Sequence, residues 1–193
     1  MEPFYGDKRL MDLLLRIKHA CGIKTVVETG TGFGCDADWF GFQFEKVYTV
    51  EIQPNLAHRA RTLFRGRNVE VVQGDAAKVL PAVAERIPRT ETALYFFNAY
   101  RSDKPILVDE LRAVLQSHPR FVVVINEICD PERPEAVYYK WNEKHQLTMQ
   151  TVARTLNVCS PGWKSAFLEP DPEATYQVGR LVVYPAALEL NVI

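Results

Sequence analysis

The sequence predicts an α/β fold: a doubly wound, mostly parallel seven-stranded sheet with helices on both faces and a C-terminal antiparallel hairpin. Strand-like and helix-like patterns alternate from residue 24 to residue 128. Several strand-like segments are continuous apolar runs, as expected where helices cover both faces of a parallel sheet. The last third of the chain leaves this alternation and closes with two neighbouring strand-like segments.

Composition and charge are those of an ordinary globular protein. Of the 193 residues, 47% are hydrophobic and 24% are charged, and a chain of this length most simply forms one domain. The net charge of −1 gives no general attraction to nucleic acids or anionic membranes. The four cysteines lack metal-ligand and disulfide spacings, and the N-terminus lacks an apolar signal core. We therefore expect a cytoplasmic protein that uses no metal and no membrane.

The elements follow in order along the chain. Apolar residues recur at helical spacing from Leu10 to Ile17, and Gly22 follows as a stop, so residues 7–22 are predicted to form a helix. Five strands are then predicted at 24–30, 46–52, 68–76, 92–100 and 120–128. The helices between them are predicted at 35–44, 55–66, 76–87 and 104–117.

The last third is predicted to hold one long helix over 135–156 and strands at 163–170 and 176–185. The whole chain, 1–193, is then a single domain. It consists of an N-terminal helix in 1–22, a βα core in 24–128, and the long helix with its closing hairpin in 129–193.

The first strand runs into a glycine loop, "ETGTGFG", at 28–34. Ligands of open α/β sheets bind at the carboxyl ends of the strands, where the strand order reverses. Gly30, Gly32 and Gly34 allow a sharp turn and a close approach of backbone to ligand. The same glycines also suit a tight strand-to-helix turn that binds nothing.

Glu51, which ends the second strand, follows the loop at the spacing of a carboxylate that accepts from two ribose hydroxyls. Nicotinamide dinucleotides and S-adenosylmethionine (SAM) both carry such a ribose. A dinucleotide would place its pyrophosphate at the helix that follows the loop, where Asp36 and Asp38 would repel it. SAM carries a sulfonium and an ammonium group instead, and Glu28 can accept from that ammonium. The charges therefore favour SAM over a nicotinamide cofactor.

The third strand ends in "QGDA". Asp75 can accept from the exocyclic amine of an adenine, and the Ala76 amide can donate to a ring nitrogen. Ile52, directly after Glu51, offers the purine an apolar face. Alone, Gly74–Asp75 is equally well a simple turn; beside Glu51 and the glycine loop it favours a nucleoside site.

"VVETGTGFG", Glu51 and Asp75 together resemble the motifs of class I SAM-dependent methyltransferases over residues 24–128. The segments "VVETGTGFGCDADWF", "ALYFFNAYRS", "PILVDELRAVL" and "VVVINEI" resemble a small bacterial and viral methyltransferase-like subgroup. The resemblance implies a Rossmann-like fold and SAM as cofactor. It implies cofactor binding by Glu28, Gly30, Thr31, Gly32, Gly34, Glu51, Ile52, Asp75, Ala76 and Asn98.

The reaction-side motifs depart from that subgroup. Asn98 stands where the subgroup has Asp, Tyr100 where it has His, and Asn126–Glu127 where it has Asp-Asp. The candidate catalytic residues are Glu127 as a base, with Tyr100 and Asn98 to orient the substrate. The resemblance implies methyl transfer to a small molecule at oxygen. The alternative is an inactive protein that binds SAM or S-adenosylhomocysteine.

A nucleic acid acceptor is not expected, because the net charge gives no general attraction to nucleic acids. The family's Asn-Pro-Pro-Tyr signature for amino groups on bases is also absent, so N6-adenine methylation is not expected. The arginine run 59–67 is interpreted either as a solvated helix face or as a surface that steers an anionic substrate or RNA. The first helix and the final hairpin are candidate surfaces for a homodimer.

Overall fold

We describe a computed structural model that covers residues 2–100, 106–142, 145–159, 162–188 and 190. Its strands are β1 Thr25–Thr29, β2 Lys46–Glu51, β3 Val69–Gln73, β4 Ala93–Phe97, β5 Phe121–Ile125, β6 Lys140–Asn142, β7 His145–Gln146, β8 Trp163–Leu168 and β9 Arg180–Pro185. Its α-helices are α1 Lys8–Cys21, α2 Cys35–Gln43, α3 Pro54–Leu63, α4 Ala76–Ala84, α5 Leu107–Ser117 and α6 Met149–Cys159. A 3₁₀ turn, Pro3–Gly6, precedes α1 and is called the N-terminal turn below.

The central sheet has seven strands in the order β3-β2-β1-β4-β5-β9-β8. Strands β1 to β5 are parallel, and β9 and β8 join the β5 edge antiparallel. The order reverses between β1 and β4, which opens a crevice at the carboxyl ends of these strands. The predicted fold class is confirmed, including the closing hairpin.

Two apolar clusters cover the two faces of the sheet. One packs α1, α2 and α3 against the sheet, with Leu14 and Phe40 among its fully buried members. The other packs α4, α5 and α6 against the opposite face around Leu80, Leu111 and Leu156. Because the helices cover both faces, the strand ends are where the sheet itself can contact a ligand.

Helix α1 ends as predicted, since Gly22 adopts a left-handed conformation at its C-cap and Asp7 caps its first turn. No helix in the described part of the chain has the length and apolar content that a membrane span requires.

The prediction of one long helix over 135–156 is wrong. Among the described residues of this segment only those of α6 are helical, and β6 and β7 form a small antiparallel pair before it. The backbone of Val137 instead bonds to Gln177 and Gly179, and Tyr139 N donates to the Glu127 carbonyl. The aromatic run that begins at Tyr138 favours extended structure, and these tertiary hydrogen bonds outweigh its helix-like spacing.

Candidate active site

A groove of about 240 Å³ crosses the carboxyl ends of β1, β2 and β3. It is lined by Gly30, Gly32, Glu51, Ile52, Asp75, Ala76 and Asn98, among others. We call it the nucleoside groove, because these predicted cofactor residues end or follow four separate strands, β1 to β4, and meet in it. The sheet order brings them together, as parallel strands end at one edge.

The glycine loop forms one wall of this groove. Gly30 N and Thr31 N both donate to the Val50 carbonyl, which ties the loop to the end of β2. Gly30 has φ 84°, and a Cβ there would lie 2.3 Å from the Asn98 carbonyl oxygen. A Cβ at Gly32 would meet nothing within 4 Å. The first glycine is therefore required by packing, whereas the second leaves the backbone open to a ligand.

Glu51 is 5% exposed, and its two carboxylate oxygens are already engaged with backbone. Oε2 accepts from Gly32 N at 2.9 Å and Oε1 accepts from Gln53 N at 2.8 Å. A carboxylate offers about four acceptor positions, so it can hold these two amides and still accept from two hydroxyls. The carboxylate is thus fixed in orientation before any ligand arrives.

The far wall of the nucleoside groove is apolar at one point and polar at the next. Ile52 is 45% exposed, unusually so for a large aliphatic side chain. Gly74 N donates to the Glu51 carbonyl, which places Asp75 and the start of α4 at Ala76 beside the groove. This wall of the groove therefore combines an apolar surface with backbone amide and carboxyl groups.

Two predicted cofactor residues, Glu28 and Thr31, are absent from the described lining of the nucleoside groove. Glu28 is buried and its Oε2 accepts from Thr49 Oγ1 at 2.5 Å, while Thr31 Oγ1 lies 2.7 Å from the same hydroxyl. Burial, with the nearby Asp36 carboxyl, raises the pKa of Glu28. Glu28 is absent from the described lining of the nucleoside groove and of the second groove described next. Its direct contact with an ammonium therefore has no support in this geometry.

A second groove of about 150 Å³ lies on the other side of the glycine loop. The described lining includes Tyr5, Gly32, Cys35, Asp36 and Asn98. We call it the loop groove. Asp36 Oδ1 accepts from Phe4 N at 2.7 Å, and burial raises the pKa of Asp36 to about 6. Asp36, which served above only as an argument against phosphate, is thus one of two carboxyl groups in the described lining of this groove, the other being Glu2.

A series of hydrogen-bonded polar side chains connects Asp7, next to α1, to Asn98 at the end of β4. Arg180 Nη1 donates to Asp7 Oδ2 at 2.6 Å, and its Nε donates to Asn126 Oδ1 at 2.7 Å. Asn126 Nδ2 then donates to Asn98 Oδ1 at 2.8 Å. We call these four residues the amide relay. Because a guanidinium can only donate, Arg180 fixes both amides, and Asn98 turns its Nδ2 towards Asp36 and the grooves.

Tyr100 and Glu127 occupy the ends of β4 and β5 as predicted. The Tyr100 hydroxyl donates to the Asn126 carbonyl at 2.6 Å, and burial raises the pKa of Tyr100 well above its usual range. Glu127 has φ 53° and its Oε1 lies 3.5 Å from the Tyr5 hydroxyl. Burial also raises the pKa of Glu127. The Tyr100 hydroxyl is therefore engaged internally, although Tyr100 lines the nucleoside groove. Glu127 is absent from the described lining of both grooves, and its role as a base stays a prediction.

Sequence reasoning missed Tyr5, Asp7 and Arg180. Tyr5 enters the site through an irregular turn with positive φ, which no periodicity indicates. Arg180 did leave a signal, since it is a single charge at the start of an otherwise apolar strand. A charge so placed is buried only when it is paired, here with Asp7. The described residues contain no cluster of His, Cys, Asp and Glu side chains arranged for a metal ion.

Solved structures with this fold include methyltransferases. SAM-bound CalS10, an amino pentose methyltransferase from Micromonospora echinaspora, matches 93% of this chain and 91% of its own, with a TM-score of 0.62 and 15% identity. The 23S rRNA methyltransferase ErmE matches 92% of this chain and 72% of its own, with a TM-score of 0.56 and 18% identity. The chain therefore has the class I SAM-dependent methyltransferase fold, and the resemblance to that superfamily is confirmed. The narrower bacterial and viral subgroup stays a prediction.

Two curated relatives share sequence with part of the chain. Both are described as probable ribosomal RNA small subunit methyltransferase A. The protein from Pyrococcus abyssi is 31% identical over 78 residues, and that from Pyrococcus furiosus is 27% identical over 101 residues. The matches cover 40% and 49% of this chain but only 29% and 37% of those proteins. No protein-family model matches the chain.

These relatives contradict the expectation of a small-molecule acceptor and of no nucleic acid partner. The relatives by sequence, and ErmE by structure, are rRNA methyltransferases. The expectation used the net charge of the whole chain, which says nothing about where the charges lie. Four arginines fall within residues 59–67, so a locally basic surface is compatible with a net charge of −1.

Proposed function

We propose that this chain binds SAM across the carboxyl ends of β1, β2 and β3 and transfers its methyl group to RNA. The observation that carries the proposal is the nucleoside groove, in which the bare backbone of Gly32, the Glu51 carboxylate and the exposed Ile52 converge. Its absence of a described Lys or Arg lining residue suits a ligand without phosphate. The rRNA methyltransferase relatives support RNA as the acceptor.

The groove residues fit the parts of SAM. Glu51 would accept from the ribose hydroxyls, since it is preset by Gly32 N and Gln53 N. Ile52, Asp75 and Ala76 would hold the adenine. Asp36 in the loop groove suits the ammonium of the amino-acid part better than the covered Glu28 does.

SAM supplies a methyl carbon that is already activated by the sulfonium, so the protein mainly positions the acceptor. Asn98 presents an amide donor to the grooves, and a donor complements an atom with a lone pair, such as a hydroxyl oxygen of RNA. Glu127 would take the proton of that hydroxyl, and its raised pKa makes it a stronger base than an exposed glutamate. The oxygen acceptor predicted above is thus retained, on RNA.

Titration calorimetry with S-adenosylhomocysteine tests the cofactor site. Glu51→Ala leaves the Gly32 and Gln53 amides and the ribose hydroxyls without their acceptor, and we expect binding to weaken by about 1–3 kcal/mol. Glu70→Gln is the matched control, because Glu70 lies on the neighbouring strand β3 and pairs at the surface with Lys46 and Arg86. Equal affinity of wild type and Glu51→Ala would remove Glu51 from the site, and NAD binding in its place would reject the proposal.

A second candidate function is binding of SAM or S-adenosylhomocysteine without transfer. The Tyr100 hydroxyl, the Asn126 amide and Asn98 Oδ1 are committed to internal hydrogen bonds, which leaves fewer polar atoms to act on an acceptor and favours binding without transfer. Incubation with methyl-labelled SAM and total rRNA separates the two functions. Label in RNA that is lost in Glu127→Gln supports transfer, whereas cofactor binding without label supports the second candidate.

A further inference from the structure

A band of exposed apolar and arginine side chains runs from the glycine loop along α2 and α3. We call it the aromatic–arginine band; its exposed members are Phe33, Phe42, Arg59, Leu63 and Arg65, and the half-buried Arg67 completes it. Phe33 is 59% exposed, Leu63 52% and Phe42 74%. Scattered single apolar residues need no explanation, but a contiguous exposed set marks an interaction site.

The members of the band are contiguous. The Arg59 guanidinium lies 5.3 Å from the centre of the Phe33 ring, and the Arg67 guanidinium lies 4.8 Å from that of Phe42. The two pairs are connected beside Gly34, the residue after Phe33: a Cβ there would lie 3.4 Å from Leu63 Cδ2 and 3.0 Å from Phe64 Cζ. The Arg67 guanidinium lies 5.3 Å from the centre of the same Phe64 ring. Phe33 also lines the loop groove. The band therefore begins at the candidate active site and leads away from it.

The band carries positive charge that the described residues leave unneutralised. Arg67 is paired with Asp38 at 2.5 Å. Arg59 and Arg65 are exposed and have no carboxylate partner within the described part of the chain. A guanidinium stacked on a ring keeps its edge N–H groups free for an anion. Arg59 thus offers donors to a phosphate while it supports the Phe33 ring.

We propose that the aromatic–arginine band binds single-stranded RNA beside the methyl-transfer site; this inference rests on the proposed function. Exposed aromatic rings stack with unpaired bases, and arginines contact the phosphates between them. The charge of the band favours RNA over a second copy of this chain. A two-fold contact between copies would bring unpaired Arg59 and Arg65 against each other, whereas RNA supplies the missing negative charge.

Fluorescence anisotropy with a labelled single-stranded RNA of about 12 nucleotides tests the proposal. In the double variant Arg59→Ala/Arg65→Ala we expect the Kd to rise about tenfold or more, and the slope of log K against log salt to flatten by about 1.4, since two phosphate contacts are lost. The matched control is Arg89→Ala/Arg120→Ala. It removes the same charge just before β4 and β5, at the edge of the sheet opposite the grooves, and should leave the Kd within about twofold of wild type.

Two further variants separate charge from stacking. Arg59→Lys/Arg65→Lys keeps the charge and should keep the salt slope. Phe42→Ala keeps every charge, so we expect weaker binding by about fivefold or more with an unchanged slope.

The proposal is overturned if the band variants bind the RNA as wild type does, or if Arg89→Ala/Arg120→Ala weakens binding equally. It is also overturned if sedimentation shows a dimer that the band variants dissociate, because the band is then a contact between copies. S-adenosylhomocysteine titration of the same samples keeps the two proposals apart. Normal cofactor binding with unchanged RNA binding rejects the band alone, whereas absent cofactor binding in wild type rejects the proposed function.

Discussion

A single buried arginine sets the hydrogen-bond polarity of the candidate active site. Arg180 is 1% exposed and is absent from the described lining of both grooves. It acts through Asn126, and Asn126 acts through Asn98. If either amide were reversed, two donors or two acceptors would face each other in a buried position, which costs about 1–3 kcal/mol. The donor that Asn98 shows to the grooves is therefore a property of the relay and not of Asn98 alone.

Asn126→Asp should reverse this polarity. A carboxylate at 126 still accepts from Arg180 but cannot donate, so Asn98 must turn its Nδ2 inwards and its Oδ1 outwards. We expect the side-chain amide protons of Asn98 to exchange with water at least about tenfold more slowly in the variant, because a hydrogen bond of about 1.4 kcal/mol lowers the open population tenfold. These protons are assigned by NMR from the signals that Asn98→Asp removes. An unchanged exchange rate would show that Arg180 does not control Asn98.

Individual site residues were predictable where one local motif defines their role. Glu51, Gly30, Gly32 and Asp75 each end a strand or form its turn, and they line the nucleoside groove. The amide relay was not predictable, because it joins residues that lie 54 and 173 positions apart. Glu28 shows that an intact motif does not fix a side chain's contacts. Its carboxylate accepts a hydrogen bond from the buried Thr49 hydroxyl.

At the scale of elements, the N-terminal turn is an integral part of the site. Phe4 inserts its ring edge-to-face against Trp39, Phe40 and Phe96, at centroid distances of 5.2 to 5.3 Å. Its N–H holds Asp36 and its carbonyl accepts from Arg180 at 3.4 Å. One short turn therefore joins the apolar core both to Asp36 in the loop groove and to Arg180 in the amide relay.

Phe4→Ala should lower the free energy of unfolding by about 3–5 kcal/mol, because it removes a buried ring and leaves a cavity. Urea unfolding followed by fluorescence measures the change. Phe42→Ala is the matched control; its ring is 74% exposed, so we expect a change within about 0.5 kcal/mol. A similar small change in Phe4→Ala would mean that the turn is held by its backbone hydrogen bonds alone.

The elements themselves were predictable to the extent that their stability is local. Buried apolar runs gave β1 to β5, and the cap at Gly22 ended α1. Segment 135–142 failed because its hydrogen bonds go to Gln177, Gly179 and Glu127, which lie far away or across a turn. The N-terminal turn was not predicted for the same reason. Phe4 and Tyr5 adopt positive φ, which tertiary contacts stabilise and local sequence does not indicate.

For the whole molecule, the alternation of elements was sufficient to predict the sheet, because right-handed crossovers leave few ways to connect five parallel strands. The same double covering of the sheet buries ionisable groups between the layers. Glu110 on α5 is fully buried, and burial raises its pKa to about 8. A carboxyl of this kind prefers to be protonated in the folded state.

This burial predicts how stability depends on pH. With a folded pKa of about 8 against an ordinary 4.5, the contribution of Glu110 is fully present below pH 4.5 and is lost as the pH rises through 8. Glu110→Gln stays neutral, so we expect its Tm to exceed that of wild type at pH 8, by about 2–4 °C per kcal/mol, and to match it near pH 4.5. Exposed Glu85→Gln is the control, and parallel curves for wild type and Glu110→Gln would contradict the prediction.

The ion pair between Asp7 and Arg180 has a consequence for biosynthesis. These residues are separated by 173 positions, so a ribosome exposes the first long before it makes the second. Until Arg180 emerges, Asp7 lacks the cation that pairs with it in the folded protein, and Asn126 lacks the donor that fixes its orientation. The parallel part of the sheet can begin to form during translation, but the amide relay beside the two grooves is completed only when β9 has been made.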